Sequence, residues 1–477
     1  MKRLLSAMLA FIFVVMAFAS CAKLEEEGFS DSELGSDSDF SDVVMDNNSS
    51  NTDESGNNSE NNETVNNNNN NNNSNNDNNN GNNNGDNSGA QTPTFNVKES
   101  TSGLKFVLNE DKLGYTLVGR GTSTAKDIVI DGHNGLPVTK IGYSAFGDDK
   151  TITSVKLGDY VEEIDDYGFS MCSALTSVTF GKGVKFLGDY SFRYCSSLTS
   201  VELGKNIETI KYGSFYNCGK LATIKAYDKI RLIEEYAFDK TEFFKNSNNW
   251  KNNVLYIGTN LIKAKSALSG TYTVADNTTC IGGLAFYGCS SVSGIVIPDS
   301  VHSIGLQAFE NATSLNTITI GKGVTYIGEK AFKNTKYFNT SSKWTNNVLY
   351  SGTYLLAANP GLSGSYSVIN GTKAIADMAF NDCVNVTSIT IPDSVVYLGE
   401  YAFRGCEKLS NVTIGTGVKE IGIYAFKDCS TLKGINLKKT AGWTAGKIEI
   451  PTEQIANKEQ AAMYLGLVYS DKVWNRA

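Results

Sequence analysis

YAFRGCEKLSNVTIGTGVKEIGIYAFKDC (residues 401–429) states one pattern twice. Tyr401-Ala402-Phe403 returns as Tyr424-Ala425-Phe426, and Cys406 returns as Cys429, each after 23 residues. Working outward, the phenylalanine recurs at Phe146, Phe169, Phe192, Phe215, Phe238, Phe286, Phe309, Phe332, Phe380, Phe403 and Phe426. Eight of the ten steps are 23 residues and two are 48. A period of 94 overlies these steps: Phe238 to Phe332, Phe286 to Phe380, Trp250 to Trp344, Tyr256 to Tyr350. The long steps hold related blocks, NNWKNNVLY and SKWTNNVLY, as a duplicated four-coil unit would.

Within a unit the apolar positions are constant. After Phe192 they are Cys195, Leu198, Val201, Leu203, Ile207 and Ile210; after Phe309 they are Ala312, Leu315, Ile318, Ile320, Val324 and Ile327. Val-x-Leu and Ile-x-Ile are a period of two, the mark of a short strand. Glycine often stands four before the phenylalanine (Gly142, Gly188, Gly282, Gly305, Gly328, Gly399, Gly422), where we expect it to permit the turn that closes a coil. One such coil cannot bury its own apolar face, whereas stacked equal coils bury a continuous core. The spacing therefore predicts a right-handed β-solenoid-like horseshoe, mostly β with little helix and a parallel sheet on one face. About 13 coils at about 4.8 Å each would make a body about 65 Å long.

Units such as LTSVTFGKGVKFLGDYSFRYC (residues 175–195) and VTSITIPDSVVYLGEYAFRGC (residues 386–406) resemble the BspA-type leucine-rich repeat. The resemblance covers about residues 100 to 438. It implies a leucine-rich-repeat solenoid and, since many members of that family are bacterial surface proteins and several are adhesins, a role in binding host matrix or other cells.

The ends of the chain read differently. MKRLLSAMLAFIFVVMAFASC has two basic residues, an apolar run too short to span a membrane comfortably, and small residues before Cys21, the pattern of an export signal. Phe18-Ala19-Ser20-Cys21 resembles the lipobox of bacterial lipoproteins, with Phe18 where leucine is usual, and implies lipidation at Cys21 and a membrane anchor. From Cys21 to Asn96 stand fifteen Asp and Glu against one Lys, followed through by a tract of asparagines, with too few apolar groups to offset chain entropy. We thus divide the chain into a signal peptide (1–20), a disordered acidic and Asn-rich linker (21–94), an N-terminal cap and first coil (95–145), the solenoid (146–438) and a C-terminal cap (439–477). Leu104 to Gly119 predicts a hairpin around Asn109-Glu110-Asp111. Residues 452 to 477 predict a short helix laying Leu465, Leu467 and Trp474 over the last coil.

Chemistry is sparse. There is no paired CxxC, HExxH or Walker loop, and His133 and His302 are the only histidines. No catalytic residue, metal site or cofactor is expected, and an enzyme would need a site in the long blocks around Trp250 and Trp344. The acidity behind the net charge of −8 sits in residues 21–96, which carry −14 against +6 for the rest, and no dense basic stripe offers itself to nucleic acid. Seven cysteines sit three after the phenylalanine: Cys172, Cys195, Cys218, Cys289, Cys383, Cys406 and Cys429. Their exchange with Ala312 and Thr335 points to small buried positions, since stacked Cβ atoms point in parallel and stay too far apart for disulfides.

Two outward columns remain as candidate binding surfaces. One flanks the buried strand positions: Lys156, Thr179, Glu202, Lys225, Thr319, Thr390 and Thr413, next to the hydroxyl-rich Ser154, Ser177, Ser200, Thr223, Thr317, Ser388 and Asn411. The other is Tyr167, Tyr190, Tyr236, Tyr401 and Tyr424, each two before its phenylalanine, at which packing between coils competes with ligand contact. The expected partner is a protein or glycan on host or neighbouring cells; the alternative is an envelope scaffold that organises other surface or periplasmic proteins.

Overall fold

The structure, a computed structural model, describes residues 94–477. The signal-like stretch, Cys21 and nearly all of the linker lie outside the described residues. From Thr94 on, the chain is a β-solenoid of about 14 turns. Two parallel ladders run along it. One joins strands of three or more residues, such as Asn385–Ile391, Asn411–Ile414 and Gly434–Leu437, with Ser388, Asn411 and Gly434 in register. The second joins two-residue strands on another side of the coil: Glu163–Ile164, Phe186–Leu187, Thr209–Ile210 and Leu232–Ile233. The predicted sheet is present, and the second ladder adds a face that two-residue strands are too short to announce by alternation.

The segment carrying the phenylalanine supplies a third set of links. In every one of the eleven coils the residues two before and two after the phenylalanine have left-handed backbones, with φ between 50° and 69°. Alternating these with the residues between them turns every second N–H toward the next coil. Tyr401, Phe403 and Gly405 thus donate to the carbonyls of Ile423, Ala425 and Lys427 at 3.0, 2.8 and 3.0 Å. The position two after the phenylalanine is held mostly by residues that tolerate this conformation, such as Asp148, Asn217, Gly288, Asn311 and Asp382.

The phenylalanines face inward and stack on one another. Phe146, Phe169, Phe192, Phe215 and Phe238 form one file with ring centroids 5.2–5.5 Å apart and interplanar angles of 4–10°. Phe286, Phe309 and Phe332 form a second, and Phe380, Phe403 and Phe426 a third. The files break at the two 48-residue steps, each of which inserts a short helix (Glu242–Lys245; Lys336–Asn339) and an antiparallel hairpin (Val254–Ile257 with Asn260–Ala264; Val348–Ser351 with Tyr354–Ala358). On the side away from the hairpin the neighbouring coils still touch: Gly283 donates to the Ile233 carbonyl and Asp377 to that of Ile327, both at 2.9 Å. Filling one side of the stack turns it. The stack is accordingly bent, enough for Lys447 of the last segment to meet Glu162 of an early coil at 3.1 Å.

The glycines four before the phenylalanine serve a different end from the one expected. None of the seven carries a left-handed backbone; they are needed because the preceding coil passes against their Cα. A Cβ at Gly328 would lie 2.6 Å from the Leu306 nitrogen, and one at Gly422 2.5 Å from the Glu400 nitrogen. Gly142, Gly188, Gly305 and Gly399 are similarly tight, and Gly282 less so.

At the start, Lys105–Leu108 and Tyr115–Gly119 form the predicted hairpin. At the end, Thr452–Ala456 and Lys458–Met463 are helical and Leu465 is buried, but Leu467 is 77% exposed. The last turn, Tyr464–Val468, widens to π geometry, which rotates Leu467 away from the stack. Trp474 is buried as expected, on a strand (Trp474–Arg476) that pairs antiparallel with Glu420–Ile421 and closes the short-strand ladder.

Phe403 has no exposure and a ring on either side. Phe403→Ala should lower stability by about 3–5 kcal/mol in urea unfolding. In the same assay Gly288→Ala, which meets open space and strains only a left-handed backbone, should cost about 1–2 kcal/mol.

Candidate binding surfaces

The strand column is exposed. Lys156 pairs in register with Thr179, Glu202 with Lys225, and Thr390 with Thr413; all point outward, with Thr413 half-buried and the others, Thr319 included, exposed. Within it Lys225 Nζ meets Glu202 at 2.7 Å, and the Tyr227 hydroxyl donates to the same carboxylate. These bonds hold the Glu202 carboxyl below its ordinary range and the Lys225 ammonium above its own. Register extends the column to Thr273, Val296, Ser367 and Asn436, which lie next to Val296, Thr319, Thr390 and Thr413. Both Thr273 and Ser367 follow an inserted hairpin, where counting from the phenylalanine loses phase.

The tyrosine column is a packed file. Tyr143, Tyr167, Tyr190, Tyr212 and Tyr236 follow one another with ring centroids 5.1–5.6 Å apart, and Tyr401 meets Tyr424 at 5.2 Å. Sequence counting passes over Tyr143 and Tyr212 because each stands one residue early. At Tyr212 the slot itself is Gly213, against whose Cα the Tyr190 ring packs. Tyrosine adopts the left-handed conformation poorly, so its presence there reflects what the ring contributes. Neighbouring rings cover much of one another's faces, and only Tyr143 (67% exposed) and Tyr236 (41%) are open to a partner. Arg193 lies over Tyr190 and Tyr194 at 4.9 and 4.5 Å.

All eight described cysteines are free thiols. Their recurrence has a polar reason as well as a steric one: each ladder S–H points at a main-chain carbonyl of the coil before. Cys195 Sγ reaches the Phe169 oxygen at 3.2 Å, Cys218 that of Phe192 at 3.0 Å and Cys406 that of Phe380 at 3.2 Å. Burial pushes the thiols of Cys172 and Cys429 up to about 12 and that of Cys289 to about 11, which disfavours the nucleophilic thiolate at these positions. Cys280, outside the ladder, is fully buried on the short-strand ladder and likewise raised to about 11.

Along the short-strand side, acidic groups gather. Burial first, then Asp166 and Glu234, pushes Asp189 up to about 6; burial raises Glu235 to about 7. Asp377 is buried, accepts from the Tyr397 hydroxyl at 3.1 Å and the Glu400 N–H at 2.8 Å, and is held well above the usual carboxylate range by burial. The bend brings distant coils into this cluster: Glu234 pairs with Lys211 at 2.5 Å, and Lys211 in turn acts on Glu400. No group of three or more potential ligands that could hold a metal ion exists among the described residues. The two tryptophans of the insert blocks are engaged structurally, Trp250 Nε1 donating to Phe244 and Trp344 Nε1 to Phe338 at 2.9 and 2.7 Å. His133 stacks on Phe106 in the N-terminal cap at 4.4 Å.

The model of the BspA type leucine rich repeat region matches residues 127–245, 242–363 and 364–444, more than half of the chain. The chain belongs to the BspA-type leucine-rich repeat family. Membership points to a protein-binding or adhesion role in general, in a family of binding and scaffold proteins. Among solved structures, a leucine-rich cell surface protein from Faecalibacterium prausnitzii is 20% identical over 73% of this chain and 97% of its own, with a TM-score of 0.22. A leucine-rich repeat protein from Bacteroides ovatus is 21% identical over 72% and 94%, with a TM-score of 0.22. The pneumococcal vaccine antigen PcpA is 18% identical over 67% and 87%, with a TM-score of 0.28. Among curated proteins none matches.

Two measurements test this description. Thiol titration of denatured protein without reductant should find all eight described cysteines reactive, and the native protein should react far more slowly. Glu235, raised in the folded state from an ordinary 4.5, holds its proton longer folded than unfolded. Its contribution is therefore complete below about pH 4.5 and is lost as pH rises through about 7, on the order of 3 kcal/mol in all. Glu235→Gln should flatten that part of the stability profile.

Proposed function

We propose that this protein is displayed on the outside of a bacterial cell and binds a macromolecule of a host or neighbouring cell through its solenoid. In this reading residues 1–20 direct export, lipidated Cys21 anchors the chain, residues 21–94 act as a flexible spacer, and residues 95–477 present the binding surface, with caps at 95–145 and 439–477. Two anchoring acyl chains would hold the protein firmly at about 0.8 kcal/mol per buried CH₂.

The observation that carries the reading is the exposed strand column in register, with Lys156, Thr179, Glu202, Lys225, Thr319 and Thr390 facing outward from strands whose opposite faces are buried or half-buried. These side chains do little for the core, so they are free to be set by a partner. Short hydroxyls and paired charges suit a protein surface bound through many shallow hydrogen bonds. The tyrosine file is a weaker candidate, because most of its ring area is spent on its own neighbours.

The test is capture of matrix proteins, whole cells and glycans by the protein, followed by the triple variant Thr179→Arg, Thr319→Arg, Thr390→Arg. Binding should fall at least tenfold with the unfolding midpoint unchanged; unaltered binding would move the site elsewhere. Protease digestion of intact cells separates display from the alternative, an envelope scaffold, since a surface protein is trimmed and a periplasmic one is spared.

A further inference from the structure

The 94-residue duplication contains its own control experiment. Where the first hairpin meets the coils beside it, a cavity of about 10 Å³ is lined by Ile262, Lys263, Asp239 and Leu284. Lys263 fills it: its Nζ donates to the Leu284 carbonyl at 2.8 Å, and Asp239 is close enough to favour its charge. At the equivalent place in the second unit the cavity is about 210 Å³. The lysine has become Ala357, the aspartate Lys333, and Ile262 and Leu284 have become Leu356 and Met378. The plug is gone and the charge at its mouth is reversed.

The walls define what could enter. Phe338, Leu356, Ala357 and Met378 are apolar. Glu329 and Lys330 also line the cavity, but pair with each other at 2.7 Å. Asp377 backs it and is already engaged by Tyr397 and Glu400. Lys333, exposed, has no acidic partner among the described residues, so the unpaired charge of the site is positive. Asn381 also lines the cavity, and its buried Oδ1 has no hydrogen-bond partner. A chamber with apolar walls, one unpartnered acceptor and one free ammonium favours an apolar body bearing an N–H donor and one negative charge.

We propose that this cavity binds a small apolar carboxylate the size of one amino-acid residue, such as the C-terminal residue of a peptide, with its apolar body against Leu356 and Met378 and its carboxylate at Lys333. The site is distinct from the strand column, and the proposal does not rest on surface display.

N-acetyl-leucine is the probe, titrated calorimetrically into the full chain. It should saturate one site at millimolar concentration, and N-acetyl-leucinamide should bind about fivefold more weakly for want of the charge. The double variant Ala357→Lys, Lys333→Asp rebuilds the first unit's plug and should abolish binding. The reciprocal Lys263→Ala, Asp239→Lys should raise the stoichiometry from one to two. Lys333→Ala, an exposed change that leaves the core untouched, should weaken binding about fivefold and decides the matter where a double variant does not fold. Absence of saturable binding, equal affinity for the amide, or unaltered affinity after replugging would overturn the proposal. None of these outcomes depends on capture by the strand column, which is scored with macromolecular ligands.

Discussion

Register between successive coils is the constraint on which the rest depends. Each coil hands the next a set of main-chain hydrogen bonds at three places: the longer strands, the two-residue strands and the phenylalanine segment. The third requires left-handed backbone at two residues per coil, a conformation that L side chains resist. The array can sustain this because each strained residue is held by bonds to the neighbouring coil, and because the strain aims alternate N–H groups along the stack. Where the two inserted hairpins lengthen a coil, the phenylalanine file breaks, and main-chain bonds survive on the side away from the hairpin.

Everything that repeats follows from that register. Phenylalanines stack because equivalent residues are superposed, and glycine is demanded where one coil's backbone passes against the next. Cysteine recurs because its slot has room for little more than sulfur and faces a carbonyl that a thiol can address. Ala312 fills the same space without the donor. In Thr335 the hydroxyl turns instead to the Phe332 carbonyl of its own coil, where the short helix begins. The thiols are thus packing groups with a weak polar link.

The side chains that escape the register are the ones available for function. The strand column is exposed and only loosely tied to the core, consistent with a family whose members bind proteins. The inserted hairpins interrupt the repeat, bend the stack and leave the cavity beside Ala357. Along the short-strand side the bend also gathers acids from distant coils, so that Glu234 and Glu400 share the field of Lys211.

Much of the fold was legible in the residues. The period, the buried positions from Cys195 to Ile210, the N-terminal hairpin and the cysteine packing all follow from local spacing, because neighbouring coils impose the same environment every 23 residues. The extra strand-face members Thr273 and Ser367 were not legible, since a hairpin shifts their phase. Leu467 misled because its helical spacing is apolar while the final turn widens. Sequence by itself determined that equivalent side chains form columns through a shared interior. Tertiary structure alone decided where that stack bends, which distant acids then meet, and that Lys263 closes one cavity while Ala357 leaves its twin open. Those outcomes depend on contacts between coils far apart in the chain, and no local period encodes them.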